Sequence, residues 1–523
     1  MESVGQWLTT AIETVNSWVW SPALVGLCLL AGLYFSFRTR FVQVRRFGEM
    51  VRLLFGGQKG EKGEKKVGVS SFQAFAMALS GRVGTGNIVG VATAIGYGGP
   101  GAIVWMWAIA FFGAGTAFVE ATLAQIYKED HNGQFRGGPA YYIEKGLRSP
   151  FLGAMFAVLA AVACGIFLPP VQCNGIAISS SRSFGIETWV VGLVVAALIG
   201  MVIIGGVKRI ANVAQIVAPV MAIVYIVLSL VVLIVHYEMV PEVFMQMLRG
   251  AVGVNEVTGA LLGTTIAWGV KRGIYSNEAG QGTGAIVAAA AKVSHPVKQG
   301  LVQAFSVYVD TLLVCSATAM MILACKTYNI IDSVTHTADG TVVTYLQQNP
   351  GAHEGEPVVF YTTDAISTVV GPHAGDMIIS IALFFFAFTT ILAYYYYAET
   401  NLVYIFNRWR RRIYKKHPER LDELEYDDAH FGDDRGEKIV IWILRIDVIS
   451  AVFFGSMAGT GIVWTFGDIA VGVMAWLNVV TILILSPKAL RTLRDYERQR
   501  KEGKEPVFEP ERLKIEGVEY WKS

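Results

Sequence analysis

Long apolar runs, separated by short polar and charged stretches, organise this chain from end to end. A helix needs about 20 apolar residues to cross a bilayer core. Eleven runs meet that need, near 18–37, 71–97, 101–127, 151–181, 187–206, 210–236, 257–291, 298–325, 375–405, 438–457 and 462–486. The pattern predicts an all-α integral membrane protein with about 11 transmembrane helices. Two segments fall outside it. Residues 326–376 form a long loop, whose V-V-T-Y and V-V-F-Y-T-T runs predict a small hairpin. Residues 488–504 read as a charged helix, lying at the cytoplasmic surface or in solution.

Two spans are interrupted. The second holds Gly81, Gly84 and Gly86 around Arg82 and Asn87. The seventh holds Gly269, Gly273, Gly280, Gly282 and Gly284 with Lys271, Arg272 and Glu278. Scattered glycines such as Gly113 and Gly115 suit close helix packing. Charges inside the glycine clusters do not fit that reading, and they point to unwound helices. The interruptions lie five spans apart, an odd number, so the two segments cross in opposite directions. This is the geometry of an inverted repeat, with five helices in each half and one extra helix in front. It divides the chain into an N-terminal helix and basic loop (1–70), a first repeat (71–236), a second repeat (257–486) with loops 326–376 and 407–437, and a tail (487–523). Unwinding frees backbone N–H and C=O groups inside the membrane, where they need partners. Half-helix N-termini suit a carboxylate, and freed carbonyls suit an ammonium or a sodium ion.

Composition agrees. Hydrophobic residues make up 53% of the chain and charged residues 16%, against about 25% charged in soluble domains. Mean hydropathy is +0.47. The net charge of +2 carries no nucleic-acid signature. Lys and Arg crowd into residues 38–67, 408–438 and the tail, while the opposite side carries Arg182, Arg249 and Lys326. The bias predicts a cell (inner) membrane protein with the N-terminus outside and the C-terminus cytoplasmic. Met1 to Trp20 contains Glu2 and Glu13 but no Lys or Arg, so a cleavable signal is not expected. Cys28, Cys164, Cys173, Cys315 and Cys325 sit in or beside apolar runs, as packing residues do. His336, His353 and His373 in the long loop offer a metal site, but scattered loop histidines usually form none.

Four motifs carry a resemblance: S-G-R-V-G-T-G-N-I-V-G-V-A at 80–92, G-G-P-G-A-I-V-W-M-W at 98–107, G-G-P-A-Y-Y-I-E-K-G-L at 137–147 and W-G-V-K-R-G-I-Y-S-N-E-A-G at 268–280. With them the chain resembles the alanine or glycine:cation symporter family, from about Phe72 to Ser486. The resemblance implies a leucine-transporter-type fold and sodium-driven symport of a small neutral amino acid. It implies substrate contacts at the break, with the amides of Thr85 and Gly86 meeting the carboxylate; Gly84, Trp268, Gly269 and Gln172 stand by position beside that pocket, and Tyr394 is either its cap or a packing aromatic. By the same analogy Asn87 offers its side-chain oxygen to sodium. The carbonyls of Ser80 and Val83 form a second sodium site with the hydroxyls of Thr389 and Thr390. The chain departs from the family at Ala393-Tyr394, where a Gly-Trp pair is usual, and at Gln281, where Met is frequent. Both put substrate choice in question more than mechanism.

Other residues are read from their positions. Asp310 lies mid-span, where an unpaired charge is costly. It is a sodium ligand or the partner of Lys271 or Arg272, and it shares a helical face with Gln303 and Ser306. Thr390, Tyr394, Tyr397 and Asn401 form one stripe, though intramembrane hydroxyls also bond their own helix. Arg82, Glu120, Lys271, Arg272 and Glu278 are expected to form gating ion pairs on the cytoplasmic side of the site. An ion channel and a proton-coupled amino-acid transporter are the alternatives. The absence of H-E-x-x-H, G-x-S-x-G and G-x-x-x-x-G-K-[ST] argues against an enzyme or an ATP-driven pump. The expected partners are a small neutral amino acid, sodium as coupling ion and the lipid bilayer, with no cofactor.

Overall fold

The computed structural model describes residues 2–55, 68–131, 133–254, 262–337, 340–349, 351–352, 358–416 and 435–521. Lys59, Lys62, Lys65, Lys66, His353 and most of the 407–437 loop lie outside the described residues.

Helices α1 (Glu2–Val19) and α2 (Pro22–Arg38) come first, and Thr10–Arg38 makes one span. The first broken pair follows: α3 (Ser71–Arg82), a π-helical turn at Gly86–Gly90 and α4 (Val91–Gly98). Then come α5 (Ala102–Ile126), α6 (Pro150–Phe184), α7 (Thr188–Ile203) and α8 (Gly206–Val235). The second half begins with another broken pair, α9 (Leu262–Asn277) and α10 (Thr283–Ala290). It continues through α11 (Pro296–Cys325), the non-spanning α12 (Tyr361–Val370), α13 (Pro372–Lys416), α14 (Arg435–Met457) and α15 (Thr460–Lys501). Among the described residues, eight helices are long and apolar enough to cross a membrane. With the shorter α7 and the two broken pairs, the described residues make eleven crossings at the places the sequence predicts.

Local chemistry explains the breaks. Ser70 and Gln73 form a reciprocal capping box that starts α3, with hydrogen bonds of 3.1 and 3.0 Å. The helix stops at Val83, which turns extended at φ −80° and ψ 90°. Between α9 and α10, Glu278 takes φ +56° and Gly280 and Gly282 each take φ +90°. Only glycine adopts that region at no steric cost, so the two glycines make the interruption possible. In α6 a π-helical turn at Ala163–Phe167 precedes Pro169 and Pro170, which cannot donate to the preceding turn.

The broken pairs run antiparallel. Thr265 of α9 donates to Gly98 O at the end of α4, at 2.8 Å. Ala291, just past α10, forms a parallel bridge with Val69, just before α3. Two faces follow, one carrying Gly98, α12 and the start of α15 (the hairpin face), the other carrying Val69, Ala291 and the chain's end (the tail face). Exposed large apolar residues cover α8 and α14, among them Ile216, Ile223, Val227, Ile443 and Ile446. So wide an apolar surface suits lipid, not water.

Two expectations need correction. V-V-T-Y does lie in a hairpin, but its partner is the preceding strand. β1 (Ile330–Thr337) pairs with β2 (Gly340–Gln347), placing Val334 opposite Val343. V-V-F-Y-T-T instead forms a 3₁₀ turn, Val358–Phe360, leading into α12. There Val358, Tyr361, Ala365 and Ile366 are buried at helical spacing, which a strand could not achieve. The charged segment after Pro487 is not in solution. It continues α15, burying Leu490, Leu493 and Tyr496 on one face.

Candidate functional site

The first break is tied off by its own Asn87 and by side chains from other spans. Gly84 N–H donates to Asn87 Oδ1 at 2.9 Å, and Asn87 N–H returns to Gly84 O at 3.2 Å. Thr85 donates its N–H and its hydroxyl to Gln172 Oε1, at 3.0 and 3.1 Å. The Thr85 amide, expected to meet substrate, is therefore engaged by Gln172. A Cβ on Gly84 would stand 2.6 Å from Thr390 Oγ1 and 2.8 Å from Gln172 Oε1, so two other spans close on that bare backbone.

Two oxygen clusters flank the break. In the first, Asn87 Nδ2 donates to Asp310 Oδ1 at 2.7 Å, while Ser276 and Thr311 hydroxyls donate to Asp310 Oδ2, each at 2.7 Å. The assignment of the Asn87 amide follows from chemistry. Flipped, its oxygen would face a carboxylate and its NH₂ an N–H donor. Cys315 Sγ completes the group, 3.3 Å from Asn87 Nδ2 and 3.2 Å from Ser276 Oγ. Asp310 is fully buried, and among the described residues no Lys or Arg forms an ion pair with it. A carboxylate held inside a membrane protein by neutral donors alone suits a mobile cation.

In the second cluster, Thr390 Oγ1 lies 2.8 Å from Ser80 O, 3.2 Å from Val83 O and 2.9 Å from Phe386 O. One hydroxyl proton cannot serve three carbonyls, so the cluster has more acceptors than protons. Ser80, Val83 and Thr390 thus come together, as the sequence analogy expects. Thr389 does not join them. Its hydroxyl bonds Phe385 O and Phe386 O of its own helix, at 3.0 and 3.1 Å.

The expected gate divides in two. Lys271 and Arg272 both reach Asp468 Oδ2, at 2.6 and 2.8 Å, on the hairpin side of the break rather than the side of Arg82. The Arg272 guanidinium also stacks over Trp268 and Trp464, at 5.1 and 4.9 Å. On the other side Arg82 donates to Gln303 O at 3.3 Å and to the Ser306 hydroxyl. Glu120 accepts from Asn478 Nδ2 at 2.9 Å, and Glu278 from the Tyr397 hydroxyl at 3.2 Å. All three are buried, yet no ion pair within 4.0 Å joins them among the described residues.

Trp268 and Gly269, expected at the pocket, lie higher on α9. Trp268 stacks on Tyr97 at 4.8 Å, and a Cβ on Gly269 would press on Trp105 of α5 at 2.6 Å. Gly86 does face the second break, since a Cβ there would meet Tyr275 at 3.2 Å and Ser276 Cα at 3.7 Å. Tyr394 is buried one turn beyond Thr390, with its ring 6.0 Å from that of Tyr397. Sequence reasoning missed Ser276, Thr311, Cys315, Asn478 and Asp468. An aspartate inside the last span was the readable signal for Asp468. Among the described residues no His, Cys, Asp and Glu cluster suits a metal site, and His373 is exposed.

Comparison with known proteins finds relatives of this chain. The model of the sodium:alanine symporter family matches residues 5–417 and 433–510. The sodium/proton-dependent alanine carrier protein of Bacillus sp. (strain PS3) is 42% identical over 474 residues, covering 91% of this chain and 97% of that protein. The sodium/alanine symporter AgcS of Methanococcus maripaludis is 34% identical over 497 residues, covering 94% and 97%. A solved sodium-coupled sialic acid symporter aligns at 12% identity with a TM-score of 0.46, covering 94% of this chain and 92% of that one.

Proposed function

The chain belongs to the sodium:alanine symporter family, and we propose that it takes up a small neutral amino acid, alanine or glycine, with sodium by alternating access. It acts as a carrier and catalyses no chemical conversion. The observation that carries the reading is the pair of oxygen clusters built on the two breaks. Sodium is a hard cation and prefers carbonyl, hydroxyl and carboxylate oxygens. Asp310, Ser276, Thr311 and Asn87 supply such a set on one side, and Ser80 O, Val83 O and Thr390 on the other. The amino acid then lies at the break between them, beside Gly84, Gly86 and Tyr394. The protein lies in the cell (inner) membrane with its tail face in the cytoplasm.

Relatives carry names citing both sodium and protons, so the test separates the two ions. Purified protein in liposomes is given labelled alanine, glycine, leucine and phenylalanine under an inward sodium gradient, a potassium gradient, or a pH gradient without sodium. Alanine or glycine uptake that needs sodium is expected. Full-rate uptake driven by pH alone would assign proton coupling, and leucine competing best would reject the small pocket.

A further inference from the structure

Residues 502–521 follow α15 and turn back across the tail face. The segment K-E-G-K-E-P-V-F-E-P-E-R-L-K-I-E-G-V-E-Y-W (501–521) is rich in charge, yet Phe508, Ile515 and Val518 are 3%, 5% and 2% exposed. It is anchored to the helix it leaves. Gln499 Nε2 donates to Val507 O at 2.9 Å while Val507 N–H donates to Gln499 Oε1 at 3.0 Å, and Arg512 reaches Asp495 at 2.7 Å.

What the segment covers is the junction of the two broken spans. Phe508 N–H donates to Ser294 O at 3.0 Å, and the Ser294 hydroxyl to Pro506 O at 2.8 Å. Trp521 Nε1 donates to Gln125 O at 2.8 Å. Gln125 Nε2 and Lys128 Nζ both donate to Ala291 O, each at 2.9 Å. The Lys128 ammonium is fully buried beneath the rings of Phe135, Tyr520 and Trp521, at 4.3, 4.5 and 5.0 Å. Ala291 sits at the bridge that joins the half-helices. Val69 N–H donates to Ala290 O and Lys292 N–H to Val69 O, both at 3.0 Å. A continuous set of contacts therefore runs from the tail through Gln125 and Lys128 to the seam between α3 and α10.

We propose that residues 502–521 are a latch that holds the tail-face gate shut, and that its release sets how readily the protein opens on that face. Opening there separates α3 from α10 and breaks the Val69–Ala291 bridge. The latch raises the cost of that separation because Tyr520 and Trp521 fix the lysine and Phe508 fixes the loop that follow α5 and α10. A latch matters only to a protein that alternates access, and so it rests on that reading.

The first experiment reads the gate without reference to ion or substrate. Ala288→Cys places a thiol on buried α10, and its reactivity towards a maleimide is compared in the full chain, in a chain ending at Lys501, and in F508A/W521A, with the chain lacking A288C as background. Unlatched proteins should react about ten-fold faster, the signature of a shifted two-state population. Equal reactivity in the point variants, with lowered thermal stability as their only change, would make the tail a structural brace and overturn the proposal. The second experiment does not depend on truncation. In the full chain, F508C/S294C is oxidised to tether the tail, then reduced. Tethering should abolish sodium-driven uptake and reduction should restore it, whereas normal uptake by the tethered protein would sink the latch. A wild-type protein that shows no sodium-driven uptake in the same assay would instead refute the transport reading.

Discussion

The contrast between neighbouring hydroxyls Thr389 and Thr390 gives the sharpest test of the second oxygen cluster. Both are mid-helix and buried, but only Thr390 faces Ser80 O and Val83 O, while Thr389 bonds its own preceding turn. Valine matches threonine in shape and lacks the hydroxyl. Thr390→Val should raise the sodium concentration for half-maximal uptake roughly ten-fold, or about 1.4 kcal/mol of binding. Thr389→Val should leave that concentration near the wild-type value. Equal sodium curves for the two variants would remove the second cluster from the coupling mechanism. This contrast also marks how far the sequence reaches. Adjacent threonines look alike in one dimension, and only the direction of each Cβ separates them. Asn87 was legible as the residue that closes the break and Asp310 as a mid-span carboxylate, but their pairing was not, because they stand 223 positions apart and meet only when the two repeats interleave. The stretch Tyr308–Cys315 is π-helical. This extra winding turns Asp310 towards Asn87 and Ser276 while Gln303 and Ser306 face Arg82, so the single polar stripe expected of a regular α-helix becomes two.

Among elements, the broken spans and their order were legible because glycines and charges within an apolar run leave few physical alternatives. The height of a residue along a span was less so. Trp268 lies nine residues before Asn277, about 13 Å along a helix at about 1.5 Å per residue, so it cannot line a pocket at the break. It stacks instead at the hairpin end, where Lys271 and Arg272 meet Asp468 and bind α9 to α15. These charges are too far inside the protein for water to screen them, since the Asp468 and Arg272 side chains are 4% and 3% exposed. Removing one partner of such a buried pair costs about 3–5 kcal/mol. Asp468→Asn would strand two cations at once, and should markedly lower the unfolding temperature in detergent. Lys271→Met should cost less, because Arg272 still neutralises Asp468. Equal stability of Asp468→Asn and wild type would show that the clamp between α9 and α15 does not hold the closed hairpin side.

For the whole molecule, the arrangement of faces turns a one-dimensional charge count into a topological statement. Eleven crossings put the two ends of the chain on opposite faces. On the tail face the structure gathers Arg45 and Arg46 beside Glu497, Arg148 beside Glu516, Lys298 beside Glu505 and Arg408 beside Glu144. On the hairpin face Arg182 lies between Asp364 and Asp376, and Lys326 opposite Glu242. Acidic partners do not cancel the orienting effect, which counts Lys and Arg near span ends rather than net charge. We propose that the excess on the tail face directs that face to the cytoplasm and β1, β2 and α12 to the outside. Ser333→Cys, exposed on β1, should label with a membrane-impermeant maleimide in intact cells. Lys504→Cys, exposed after α15, should label only once the membrane is opened. The reverse pattern would invert the molecule, placing the latch outside the cell and the oxygen clusters at the mouth of an exit route rather than an uptake route. Labelling of both positions in intact cells would instead mean that the chain inserts in two orientations, and that charge on the tail face is too weak to choose between them.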